Sequence, residues 1–116
     1  MKPGTVFQLV GSENHPRIIL SNPSRGYVLV CNLSDRRKWP ESPCLIDLGE
    51  HEWVTKDSAV PFHYLTTLPF DKFPVALRDN RIRISAVPFP EIRVTQIIAA
   101  ILASDAVSER FKAFLK

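Results

Sequence analysis

The chain has 116 residues, of which 45% are hydrophobic and 23% charged, the composition of an ordinary globular protein. A chain of that length buries roughly two thirds of its unfolded surface, so one domain over 1–116 is expected to fold without a disulfide or a metal. The net charge of +3 permits a polyanionic partner without demanding one. No apolar run is long enough for a signal peptide or a membrane span, and a cytoplasmic protein with no membrane partner is expected.

The first elements read as strands. Lys2, Pro3 and Gly4 form a turn, and 5–10 is a short run of β-formers. After a polar loop, 17–21 and 27–33 form two strands joined by the turn Asn22-Pro23-Ser24-Arg25-Gly26. The second of these is apolar almost throughout, the pattern of a strand buried on both faces. Residues 34–43 follow as an exposed loop, then strands over 44–48 and 53–55 around a turn at Gly49-Glu50-His51-Glu52, and a further extended segment over 59–65 in which Pro61 marks an edge or an irregular piece. Residues 66–74 read as loop, and 75–77 and 81–87 flank a turn at Asp79-Asn80.

The C-terminal quarter changes period. Apolar residues at Ile92, Ile97, Ile98, Ile101 and Leu102 predict a helix over 91–103 that starts after Pro90. Ser104 and Asp105 offer caps for a second helix over 106–115, with Val107, Phe111, Phe114 and Leu115 on one stripe. Many short strands followed by helices predict a mainly β fold with C-terminal helices (β+α): a small twisted β-barrel over 1–88 with a helical segment over 89–116.

Cys31 and Cys44 fit no zinc or redox spacing; they read as two core thiols or, in an oxidising compartment, an inter-strand disulfide. There is no Gly-rich phosphate loop, no HExxH and no carboxylate cluster, so neither a metal nor another cofactor is expected.

Three stretches together carry a family resemblance: Pro3-Gly4-Thr5-Val6, His15-Pro16-Arg17-Ile18-Ile19-Leu20-Ser21, and the run from Val28 that ends on the hydroxyl of Ser34. Over roughly residues 3–60 the chain resembles the MazF/PemK-type toxins, with Gly49-Glu50-His51 and Lys56-Asp57-Ser58 similar to the later turn and strand of divergent members. The resemblance implies a small SH3-like β-barrel (MazF/PemK/CcdB-like), a homodimer, a metal-independent endoribonuclease acting on single-stranded RNA, and an antitoxin protein as partner. The family has Arg-Pro where this chain has His15-Pro16, and Thr where it has Ser34. Carried over, the catalytic residues are His15, in place of the arginine, and Ser34.

Cleaving RNA without a metal needs a base for the 2′-hydroxyl, an acid for the leaving 5′-oxygen and donors for the charged phosphorus centre. A histidine such as His15 can serve as acid or base, since the unperturbed imidazole pKa lies near neutrality, whereas arginine is a fixed cation. Arg17 can then supply that cation if it faces the same groove, and Ser34 a hydrogen bond. His51 is the second candidate for proton transfer. Arg36, Arg37 and Lys38 beside the stacking ring of Trp39 suit single-stranded RNA, and His51 and Lys56 complete the expected RNA-binding set. Each residue also has a plainer reading: His15 on the surface, Ser34 capping a turn, His51 in a solvated turn, and Arg36 to Lys38 as a solvated loop. Arg81 and Arg83 extend a basic surface or keep an edge strand soluble. The alternative function is a non-catalytic SH3-like module that keeps the barrel and binds a protein or nucleic-acid partner. A third reading is an assembly protein that oligomerises through its C-terminal helices.

Overall fold

The structure, a computed structural model, describes residues 2–13 and 15–116. In chain order its elements are β1 (Val6–Leu9), β2 (Arg17–Ile19), β3 (Tyr27–Asn32), β4 (Ser34–Asp35), β5 (Leu45–Ile46), β6 (Ser58–Ala59), β7 (Thr66–Pro69), α1 (Lys72–Arg78), β8 (Ile82–Ile84), α2 (Glu91–Ala103) and α3 (Glu109–Lys112). Single 3₁₀ turns lie at Arg36–Lys38, Phe62–Tyr64 and Ala113–Leu115.

The strands form two antiparallel sheets, one in the order β7-β3-β2-β1-β8 and one in the order β4-β6-β5. The chain passes from the first to the second at Leu33, between β3 and β4. It is a mainly β fold with a few helices; among the described residues the two sheets remain separate and do not close into one barrel.

The period of two along a strand sends alternate residues of β2 and β3 to two cores. Ile18, Leu20, Leu29, Cys31 and Leu33 face one side with Val6, where Val94, Ile97 and Ile101 of α2 cover them. Ile19, Val28 and Val30 face the other side with Phe7 and Ile82, where Phe73 of α1 covers them. Phe73 meets Phe7 edge-on, with centroids 5.2 Å apart. This double cover explains why β3 carries an almost unbroken apolar run. The β2–β3 hairpin closes in a two-residue turn, where Arg25 and Gly26 both have positive φ (52° and 83°) and Ser24 and Tyr27 exchange two backbone hydrogen bonds.

Helix α2 occupies the expected span 91–103, although Ile92 turns outward and is 69% exposed. Four expectations fail locally. Residues 66–78, read as loop and strand, form β7 and then α1. Pro74 sits in the first turn of α1, where its missing N–H leaves no helical hydrogen bond unmade. The strand expected over 53–55 is instead the end of a tight turn, in which Val54 N–H donates to His51 O and Gly49 N–H to Val54 O. The extended segment expected over 59–65 stops at Pro61, and Phe62–Tyr64 coil into a 3₁₀ turn. The last helix is also shorter than 106–115. Its cap is Ser108, whose hydroxyl accepts from Phe111 N–H, and Ala113–Leu115 continue as 3₁₀.

Candidate functional site

Antiparallel pairing sets the open end of the β2–β3 hairpin. Arg17 lies opposite Asn32, and Leu33 N–H donates to Pro16 O at 2.8 Å. The register continued by one more residue sets His15 beside Ser34. The ring of His15 accordingly lies against this strand exit, with Nδ1 3.4 Å from Leu33 O. A proton on Nδ1 points at that carbonyl and leaves Nε2 as the basic nitrogen.

Arg17 alternates with Ile18, so its side chain leaves β2 on the Ile19 side, the same side as Asn32 on β3. The paired register ends at Arg17 and Asn32, and Ser34 belongs to β4 of the other sheet. Arg17 Nη1 donates to Asn32 Oδ1 at 3.1 Å. Its Nε is buried with no hydrogen-bond partner among the described residues. Burial lowers the pKa of the guanidinium. At neutral pH the group keeps its charge, as arginines do. It is a cation held by a neutral amide, with donor capacity unspent. Ser34 is buried and is fixed through its backbone opposite Ala59 of β6.

The basic loop is built differently. Asp35 is buried at the end of β4, and its Oδ1 accepts from Arg37 N–H at 2.9 Å, capping the 3₁₀ turn. Its Oδ2 meets Arg37 Nη2 at 2.7 Å and Lys56 Nζ at 4.0 Å. The hydrogen bonds from Arg37 hold the Asp35 carboxyl well below the usual carboxylate range. Arg36 donates to Asp47 Oδ1 at 2.9 Å and to Ser58 O, and lies 4.0 Å from Asp57. Of the four cations expected to bind RNA, only Lys38 has no carboxylate within 4.0 Å among the described residues.

Trp39 does not stand alone. Its ring lies 5.7 Å from that of His63, tilted by 30°, and meets Tyr64 edge-on at 5.1 Å. Tyr64 is 51% exposed. Trp39 and His63, with Lys38 and Phe62, border a groove of about 400 Å³.

His51 is a correction. Expected as an RNA-binding or proton-transfer residue, it is 4% exposed and stacks on Phe89. Nε2–H donates to Val87 O at 2.6 Å, and Nδ1 accepts from Trp53 N–H at 3.0 Å. Nε2 ties the 49–54 turn to the segment before α2 and Nδ1 closes the turn on itself, so neither is open to a substrate. Cys31 and Cys44 are free, buried thiols in the α2-side core; burial pushes Cys31 up to about 12, which removes it as a nucleophile at neutral pH.

Sequence reasoning passed over Asn32, Asp35, His63 and Tyr64. Asn32 was findable from the hairpin register. Asp35 was findable as the residue that caps a turn before a basic run. His63 and Tyr64 are brought to Trp39 only by the fold. Among the described residues no three His, Cys, Asp or Glu side chains gather as a metal site, and no helix is long and apolar enough to cross a membrane. Compared with family models, curated proteins and solved structures, the chain matches none.

Proposed function

We propose that this chain is a toxin-like endoribonuclease of the MazF/PemK type, which cleaves single-stranded RNA without a metal and acts in the cytoplasm as a homodimer restrained by an antitoxin protein. The reading takes the two sheets as a divergent, open form of the family's SH3-like barrel. The observation that carries it is the hairpin's open end, with His15 against Leu33 O, one residue before Ser34, and Arg17 bonded to Asn32.

In this mechanism Nε2 of His15 takes the proton of the ribose 2′-hydroxyl, and the freed oxygen attacks phosphorus. The imidazolium returns a proton to the 5′-oxygen as its bond to phosphorus breaks, leaving a 2′,3′-cyclic phosphate. Arg17 and Ser34 donate to the non-bridging oxygens, where charge builds in the transition state. His15 thus supplies the proton chemistry and Arg17 the fixed cation.

The test is decay of single-stranded RNA in EDTA by the wild-type protein, His15→Ala and Ser34→Ala. The wild type should cleave, and His15→Ala should be slower by about 10² to 10⁴. Equal decay in all three samples would refute the site, and no decay in any would refute the enzyme.

One observation favours a second reading, a non-catalytic binding module: Arg36, Arg37 and Lys56 are balanced by carboxylates, while Trp39, His63 and Tyr64 form an accessible aromatic cluster. In that case binding of RNA or peptide survives His15→Ala and disappears in Trp39→Ala.

A further inference from the structure

At the opposite end of the same hairpin, about 17 Å along β3 from Asn32, the turn faces the C-terminal helix α3 across a groove of about 680 Å³. Its walls are Ser24, Arg25, Tyr27, Thr67, Arg110 and Phe114. The size falls in the range of roughly 300–1,000 Å³ common for small-molecule sites. It combines two cations, two aromatic rings and two hydroxyls.

Both arginines are electrostatically unspent. Among the described residues neither Arg25 nor Arg110 has a carboxylate within 4.0 Å. The acid nearest in sequence to Arg110, Glu109, is engaged by Lys112 at 3.8 Å and Lys116 at 3.5 Å. Arg110 instead lies over the ring of Phe111, 4.9 Å from its centroid, which leaves its N–H edge open to an anion. The setting contrasts with Arg36 and Arg37, whose charges are met by Asp47 and Asp35.

The backbone at Arg25 is a second, independent observation. Its φ of 52° puts it in the left-handed region, at a turn position that favours Asn, Asp or Gly. An arginine there costs stability that a smaller residue would avoid. Strain kept at one residue points to a use for its side chain.

We propose that this groove binds a nucleoside phosphate. Arg25 and Arg110 hold the phosphate by charge-assisted hydrogen bonds, which neither ring nor hydroxyl can replace. The base lies against Tyr27 or Phe114, whose rings take any base by stacking. Ser24 and Thr67 offer hydroxyls to the sugar. The site stands whether or not the other end of the hairpin cleaves RNA.

The test is calorimetric titration of the intact protein with AMP, adenosine and inorganic phosphate, and with a 5′-phosphorylated trinucleotide. AMP should bind at least about tenfold more tightly than adenosine or phosphate alone, because each half of the site contributes. Arg25→Asn suits the turn's backbone, so its unfolding midpoint should equal or exceed the wild type's. Its AMP affinity should nevertheless fall about tenfold, as should that of Arg110→Gln. A trinucleotide that binds more tightly than AMP identifies a strand end as the source of the phosphate, and equal or weaker binding identifies the free nucleotide. AMP binding no tighter than phosphate alone would overturn the proposal. So would unchanged affinity in both a folded Arg25→Asn and Arg110→Gln.

Discussion

The open end of the β2–β3 hairpin and the loop that leaves it are neighbours in the chain, yet the fold handles their charges in opposite ways. Arg17 is half-buried, and among the described residues it bonds only to the neutral amide of Asn32 and its Nε has no partner. Arg36, Arg37 and Lys56 are more exposed or lie near the surface, and each meets a carboxylate within 4.0 Å. A run of like charge in a sequence is therefore not a charged patch until its partners are counted. Asp47 and Asp57, which meet Arg36, are 11 and 21 residues away. Arg17 carries the stronger local field, because it is partly desolvated and no carboxylate among the described residues lies within 4.0 Å of it.

The sharpest way to break this comparison is Arg17→Met. The substitution keeps the apolar stem and removes the charge. Cleavage of single-stranded RNA should slow by about 10² to 10³, the usual cost of losing one donor to a transition-state oxyanion. Stability should change by less than about 1 kcal/mol, because the lost hydrogen bond to Asn32 is offset by release of a desolvated cation. Arg37→Met, by contrast, should leave the rate nearly unchanged. Equal losses in the two variants, measured as initial rates on one RNA, would erase the distinction between the regions.

The same contrast explains what could be read from the sequence. Helix α2 was legible because its apolar residues recur at helical spacing after Pro90, and β3 because a run from Tyr27 to Leu33 interrupted only by Asn32 needs two apolar covers. Helix α1 was hidden because Pro69, Phe70, Phe73 and Pro74 have the composition of a loop, whereas a proline in a first helical turn costs nothing. The approach of His15 to the end of β3, at Leu33 O, followed from hairpin register alone, a local rule. The fate of His51 did not. Its two hydrogen bonds reach Val87 and Trp53, and no local pattern shows that a histidine between two glutamates is 4% exposed. Polar residues in contact across long sequence separations are the part of a site that periodicity does not encode.

A second test turns the loop toward the behaviour of the hairpin end. Asp35→Asn keeps an acceptor for Arg37 N–H but removes the charge that balances Arg37 and Lys56. Freeing two cations should strengthen RNA binding and steepen its salt dependence, log K against log salt, by about 1.4, or roughly 0.7 for each added phosphate contact. A pH signature accompanies it. The carboxyl of Asp35 is depressed in the folded protein, so it contributes stability above its unfolded pKa of about 3.9, and that contribution is lost as pH falls through the folded value. Wild-type protein should therefore lose stability more steeply than Asp35→Asn below about pH 4. Parallel acid unfolding curves for the two proteins would show that the Asp35 pairing contributes nothing to the fold.

The smallest effect concerns Lys38, the one cation of the expected RNA-binding set that no carboxylate meets within 4.0 Å among the described residues. It borders the groove formed with Trp39 and His63, so it can reach a phosphate while a base rests on the aromatic cluster. Lys38→Ala should make the salt slope of RNA binding shallower by about 0.7, the loss of one phosphate contact, and leave the cleavage rate at saturating RNA unchanged. Trp39→Ala should weaken binding with no change in that slope, because stacking releases no counterion. The two variants thus separate charge from stacking in the same groove. A slope unchanged in Lys38→Ala would mean that the loop contributes no free charge at all, and that Arg17 alone provides the cationic contact on this side of the molecule.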